Sequence, residues 1–247
     1  MPLGFGRSVL AYKAAGAVIP TRTPLTLTAT GDAQIDTAIK QFGTASLLFD
    51  GTGDSVVTTE TQVVPATGDF TVEGWVYLDN TTASRQSFFT QYGAGTAGRC
   101  EFGTFNNDGL ILFIDGTTDI LLYPPNTASM DVNIPTQTWK HWAVTRSGNT
   151  FSVFYDGDRI GQQTQSGITV LDDIFILGDR DTTIGTISYF PMTGNLDEIR
   201  VSSNVRYSGT TYTVPTDAFT NDEDTLLLVH GDGTDGSTTI TDDGGPQ

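Results

Sequence analysis

The stretch from Gln137 to Gln165 (QTWKHWAVTRSGNTFSVFYDGDRIGQQTQ) leaves the chain few alternatives. Two aromatic and β-branched runs, Trp139–Thr145 and Phe151–Tyr155, flank Ser147-Gly148-Asn149, and Asp156-Gly157-Asp158 turns the chain again. Glycine and asparagine adopt the backbone conformations a tight hairpin needs, so the pattern predicts a three-strand meander. Phe151, Val153 and Tyr155 fall on one face and Phe154 on the other, while Trp142 and Val144 oppose His141, Ala143 and Thr145. Strands apolar on both faces are expected in the middle of a sheet covered on both sides.

The same signals recur along the chain. Phe70–Leu78 alternates, with Phe70, Val72, Gly74, Val76 and Leu78 on one face and Thr71, Glu73, Trp75 and Tyr77 on the other. Further strands are expected at Leu25–Ala29, Ala45–Phe49, Val56–Thr59, Ser87–Gln91, Arg99–Phe105, Leu110–Ile114 and Ile120–Leu122. Ile174–Leu177, Gly194–Ser202 and Thr225–His230 complete the set, and Gly31–Phe42 reads as a loop. Helix-like patches are short: Ser8–Ala15, Asp36–Gln41 and Asn204–Tyr207. With 28 glycines, frequent Thr and Asp and 247 residues, the chain suits one all-β domain. The expected fold is a two-sheet antiparallel sandwich of jelly-roll type over residues 25–247, preceded by an arm, Met1–Pro24, without a sustained strand period.

Charge separates the arm from the body. Met1 to Gly31 carries Arg7, Lys13 and Arg22 and no acid, whereas the whole chain has a net charge of −17. An acidic body repels nucleic acid and anionic membrane, and a basic arm is expected to dock on an acidic neighbour. No apolar run reaches the roughly 20 residues of a membrane helix. Arg7 and Lys13 interrupt the opening residues, so no signal peptide is expected. Cys100 is alone, which excludes an internal disulfide.

Four ordered blocks resemble a known family: FGTASLLFDGTGDSV (42–56), GDFTVEGWVYL (68–78), WKHWAVTRSGNTFSVFYDG (139–157) and GNLDEIRVSSNVRY (194–207). They are similar to the concanavalin A-like lectin/glucanase sandwich in its laminin-G-like branch, as found in structural proteins of marine bacteriophages, over about residues 25 to 235. The opening MPLGFGRSVLAY resembles the start of tailed cyanophage virion proteins. The resemblance also exposes a permutation. In tandem family members a segment like LLLVHGDGTDGSTTITDDGG precedes one like TATGDAQIDTAIKQFG; here the first lies at 226–245 and the second at 28–43. Thr225–His230 is therefore expected to be a sheet strand near Leu25–Thr28, closed within the chain in preference to swapped into another subunit.

Candidate chemistry is sparse. Glucanases of this fold carry Glu-x-Asp-x-x-Glu on one strand, and no such triplet occurs here; Asp197 and Glu198 are adjacent and point to opposite faces. His141 and His230 stand alone in strand patterns, and no nucleophile, zinc or phosphate-loop motif is present. No enzymatic activity is expected. Alternation places Asp197 on the face of Ile199 and Val201, where a carboxylate needs backbone N–H groups, a hydroxyl network or a cation. Laminin-G-like relatives often bind calcium, so the resemblance implies a site of Asp50, Asp54 and Asp197, unless these acids only cap turns. Glu73, Trp75 and Tyr77 form an aromatic and acidic stripe that is a candidate glycan platform, unless a neighbouring loop covers it.

The expected function is that of a non-enzymatic bacteriophage virion protein, a head decoration, knob or fibre module on the particle surface, made in the host cytoplasm. It would anchor to other virion proteins by its arm and form a homo-oligomer or part of a larger assembly. The alternative is a calcium-dependent lectin for host surface glycans; a glycoside hydrolase comes third.

Overall fold

The computed structural model describes residues 23–80, 85–91, 98–105, 109–115, 119–123, 130–180 and 190–244. All but the last two residues of the expected arm, and the helix-like patch Ser8–Ala15, lie outside them. Fifteen strands occur among the described residues and no α-helix does. Asp36–Gln41 and Asn204–Tyr207 are bends and coil after a strand end, because neither has an apolar helical face to bury.

Two antiparallel sheets form a sandwich. The seven-stranded sheet runs β1 (Leu27–Thr30), β4 (Ser55–Thr61), β13 (Ile174–Leu177), β6 (Arg85–Gln91), β7 (Cys100–Phe105), β8 (Leu110–Ile114), β9 (Ile120–Leu122). The eight-stranded sheet runs β12 (Asp158–Thr164), β11 (Thr150–Tyr155), β10 (Lys140–Ser147), β5 (Phe70–Leu78), β14 (Thr193–Ser202), β3 (Ser46–Asp50), β2 (Gln34–Asp36). Its eighth strand, β15 (Thr225–Val229), pairs with β14. The expected meander is β10–β11–β12. Asp156 and Gly157, with φ of 48° and 103°, make its second turn in the left-handed pair of conformations that suits an Asp-Gly hairpin.

Between the sheets lies one core. Phe70, Val72, Val76 and Leu78 of β5 meet Phe88, Phe89, Phe102 and Leu112 of the opposite sheet around Trp142, whose ring stacks on Phe89 at 5.7 Å. The meander is covered on its outer face too, since Phe154 packs there against Tyr207 and Tyr212 at 6.0 and 5.6 Å. Those tyrosines belong to the 203–224 segment, which crosses the outside of the eight-stranded sheet.

Strand β14 carries a bulge that changes what its side chains face. Asp197 pairs with Trp75, but Arg200 pairs with Glu73, so Glu198 and Ile199 together oppose Gly74. Glu198 takes φ of 54° at the bulge. Gly74 is required opposite it, because a Cβ there would stand 2.4 Å from Ile199 Cδ1 and 3.1 Å from the Trp142 ring. At the bulge β14 also changes its other neighbour: Thr193–Leu196 pair with β3, and Ile199–Ser202 pair with β15.

β15 is a strand closed within its own chain, but its partner is β14 rather than β1, which lies in the other sheet beside β4. The expected proximity of the ends is met one segment later. Asp242 accepts the Leu25 N–H at 2.7 Å with one oxygen and the Leu228 N–H at 3.1 Å with the other. Asp235 accepts the Thr37 N–H, and Asp232 accepts the Ala45 N–H at 3.1 Å. β2, read from sequence as loop, is paired by β3 and held by Ser237, whose carbonyl accepts the Ile35 N–H.

Candidate functional site

The predicted platform Glu73, Trp75 and Tyr77 points outward from β5; Glu73 and Trp75 are sealed and Tyr77 is half-buried. Glu73 has no exposed surface and Trp75 retains 5%. Phe42, Trp139, Val214, Phe219 and Leu228 pack around Trp75, and Tyr77 leans on Trp139 at 5.5 Å. Beneath this cover lies a polar cluster. Arg200 donates to Glu73 Oε1 from Nε at 2.9 Å and from its terminal nitrogen at 2.7 Å. The Tyr207 hydroxyl donates to Oε2 at 2.5 Å. His141 Nε2 stands 3.5 Å from the same oxygen, and its Nδ1 is 2.6 Å from the Tyr212 hydroxyl. Burial opposes ionisation of Glu73, yet His141 and the Arg200 charge hold its carboxyl below the usual range. Burial and the Glu73 charge push the Tyr207 hydroxyl up, so it stays a donor. The cluster fastens the 203–224 segment to the sheet; it is no open binding surface.

Asp197 does not join Asp50 and Asp54. Asp50 pairs with Thr193, four residues along β14, and the bulge turns Asp197 onto the outer face with Trp75, not onto that of Ile199 and Val201. There its Oδ2 accepts the N–H groups of Gln41 at 2.7 Å and Phe42 at 3.1 Å, while buried Oδ1 has no partner. Asp54 instead gathers with Asp32 and Asp50, their carboxylate oxygens within 4.8 Å of one another. It accepts the Asp50 N–H at 2.8 Å and the Asp32 N–H at 2.9 Å, closing the turn. Burial pushes its carboxyl up to about 6, against those two N–H groups.

Burial likewise pushes the Asp197 carboxyl up to about 7, against the Phe42 and Gln41 amides. A folded-state pKa above the unfolded one favours folding while the group is protonated, so this contribution is lost as pH rises from about 4 to 7. Asparagine keeps an acceptor for both amides without the charge. Asp197→Asn is expected to match wild type at pH 4 and exceed it by about 2 kcal/mol at pH 8, half of what the full displacement implies. Asp197→Ala strands two amides and is expected to cost about 1–3 kcal/mol at pH 4 and about 2 kcal/mol less at pH 8, where it too is relieved of the buried charge. Urea unfolding at the two pH values checks this; an Asn variant weaker than wild type at pH 8 would contradict it.

Sequence reasoning missed a feature that is open. On the outer face of the seven-stranded sheet, Arg85, Arg99, Phe105, Phe113, Tyr123 and Arg180, with Ile111 and Leu121, line a cavity of about 370 Å3. The signal was the alternation of β7 and β8, in which Glu101, Gly103 and Phe105 oppose the core residues Cys100 and Phe102, and Phe113 lies between Leu112 and Ile114. Phe105 meets Tyr123 edge to face at 4.8 Å. Glu101 lies buried beneath the lining, 2.8 Å from Arg85 and 3.0 Å from Arg180, and it pairs across strands with Phe113. Both guanidinium groups also sit over Phe190, at 4.5 and 4.4 Å from its centroid. Arg99 pairs with Asp115 at the rim.

Residues 50–209 match the family model described as the concanavalin A-like lectin/glucanases superfamily. The chain belongs to that superfamily. No curated protein matches it. Solved structures share the fold at low identity. Domain 4 of AbnA, a GH43 extracellular arabinanase from Geobacillus stearothermophilus in complex with arabinotriose, is 17% identical with a TM-score of 0.54, over 76% of this chain and 84% of that one. The enzymatically active domain of tailspike protein 2 of bacteriophage CBA120 is 15% identical with a TM-score of 0.54, over 77% of this chain but only 30% of that one. A putative carbohydrate binding protein from Bacteroides ovatus is 14% identical with a TM-score of 0.52, over 89% of this chain and 58% of that one.

Calcium takes 6 to 8 oxygens, and the Asp32, Asp50 and Asp54 turn supplies three carboxylates, with one backbone N–H on each Asp54 oxygen, so these carboxylates alone do not fill its shell. Glycoside hydrolysis uses two facing carboxyl groups, and the described cleft lining contains none.

Proposed function

We propose that the chain is a non-enzymatic, saccharide-recognising sandwich displayed on a bacteriophage virion, and that saccharide lies in the cleft on the outer face of the seven-stranded sheet. The observation that carries this reading is the lining: half-buried Phe105, Phe113 and Tyr123 offer apolar ring faces beside guanidinium donors, the combination that receives a sugar ring and its hydroxyls. Support comes from the arabinotriose in complex with the arabinanase domain and from the tailspike that shares the fold. The basic residues Arg7, Lys13 and Arg22 suit the arm to other virion proteins, and the assembly would present several copies. No calcium enters this proposal.

A glycan array tests it. Retention of at least one glycan class is expected, with affinity lowered about tenfold by Phe113→Ala, the equivalent of one good ring contact. An array that retains nothing, from protein with an intact melting transition, would leave a purely structural virion module.

A further inference from the structure

We infer that the cleft selects saccharides bearing an anionic substituent, a carboxylate or a sulfate, held by Arg85, Arg99 and Arg180 while the sugar ring lies on Phe113. This rests on the cleft being the saccharide site.

The charge arrangement is the argument. The chain has 12 Lys and Arg against 29 acids, yet the eight described lining residues include three arginines and no acid. Asn, Gln or Asp would serve hydroxyls alone as well as arginine does, so three guanidinium groups in one wall favour a ligand that also carries negative charge. The matching carboxylates lie behind the guanidinium groups and not among the lining: Glu101 is 1% exposed and Asp115 7%. With these acids covered, the described wall turns guanidinium groups toward a ligand, oriented by their ion pairs before it arrives. Glu101 fixes Arg85 and Arg180 from below, and Phe190 stacks on both. Pre-ordering removes much of the entropy cost of placing a long side chain on a ligand.

The residue type narrows the class. A guanidinium presents a planar fork of N–H donors that matches the paired oxygens of a carboxylate or sulfate. The register sets Phe113 directly beside Glu101, hence beside the Arg85–Glu101–Arg180 clasp. A ligand spanning both must carry a ring with an apolar face and, within one sugar unit, an anionic group. That describes an acidic saccharide and not a phosphate ester chain or a peptide.

The test compares trigalacturonate with its fully methyl-esterified form, the same backbone with and without charge, by titration calorimetry at 0.15 M salt. At that ionic strength the Debye length is about 8 Å, so the distant acidic body is screened and the cleft is read. Sulfated and unsulfated dextran oligosaccharides form the second pair and separate the two sources of anion. At least one acidic member is expected to bind tenfold or more tighter than its neutral partner, and Arg180→Gln or Arg99→Gln, tested separately, should each cut that preference at least threefold. Two arginines remain in either variant, and the wild-type comparison alone stays decisive if one variant misfolds. Equal affinity within each pair, with Phe113→Ala weakening both members, would overturn the anionic preference and leave the saccharide site standing. A preference unchanged in both arginine variants would also overturn it, placing recognition elsewhere. No binding here, with neutral glycans retained on the array through Phe113, overturns the inference alone; no binding on either platform removes both.

Discussion

Glu73→Ala is expected to lower stability by about 3–5 kcal/mol, the cost of leaving a buried charge without its partner. Arg200 is 8% exposed and directs two N–H groups at Glu73, while Tyr207 and His141 converge on its second oxygen. Removing the carboxylate strands the guanidinium against Phe219, over whose ring it sits at 4.2 Å. In a domain of this size a loss of that order lowers Tm by roughly 10 °C. The 203–224 segment should loosen first, because Tyr207, Tyr212 and Phe219 cover the sheet through this cluster. Trp75 fluorescence should redshift, and protease should cut the segment before the sandwich unfolds. Glu73→Gln with Arg200→Met removes both charges together and should recover a large part of the loss. A Glu73→Ala variant within about 1 kcal/mol of wild type would show that the cluster breaks even and that apolar cover alone holds the segment.

A chain ending at Asp224 is expected not to fold cooperatively. β15 sends Leu227 and Val229 into the main core and Leu228 into the cluster around Trp75. Three such side chains are worth about 5–9 kcal/mol of burial, comparable with the whole net stability of a domain. The truncation also strips Ile199–Ser202 of their neighbour on one side and removes Asp232, Asp235 and Asp242, which hold 25–45. Circular dichroism and a denaturant titration read the outcome; a sharp transition at the wild-type midpoint would make the C-terminal segment an ornament. Addition of a 225–244 peptide should restore the transition in a concentration-dependent way if the empty slot survives.

Much of the strand content was legible. β5, β8 and β9 have the bounds the alternation predicts, because each strand carries its apolar period within a few residues and ends at turn formers. β2 was not legible: Gln-Ile-Asp has one apolar residue, and it is a strand only because β3 and Ser237 pair with it. Concanavalin A-like membership was readable in four blocks, since those blocks build β3, β5, β10, β11 and β14.

The sites divide the same way. That Glu73, Trp75 and Tyr77 share a face follows from a period of two; that the face is closed follows from Phe42, Tyr207, Phe219 and Leu228, which arrive from distant parts of the chain. Alternation assigned Asp197 to the core face, and one extra residue at Glu198 reversed it, a slip that costs no pattern in the sequence but flips every side chain before it relative to those after it. Arg85, Arg99 and Arg180 share no motif; β6 and β7 are paired, and the chain after β13, the neighbour of β6 on its other side, brings Arg180 to Glu101. The sequence by itself determined which residues prefer extended backbone, where the chain turns and which superfamily it joins, because those depend on neighbours a few residues away. Which face lies open, which carboxylate is buried and which arginines meet were decided only by the tertiary structure, because register, bulges and covering segments are set by contacts between residues far apart in the chain.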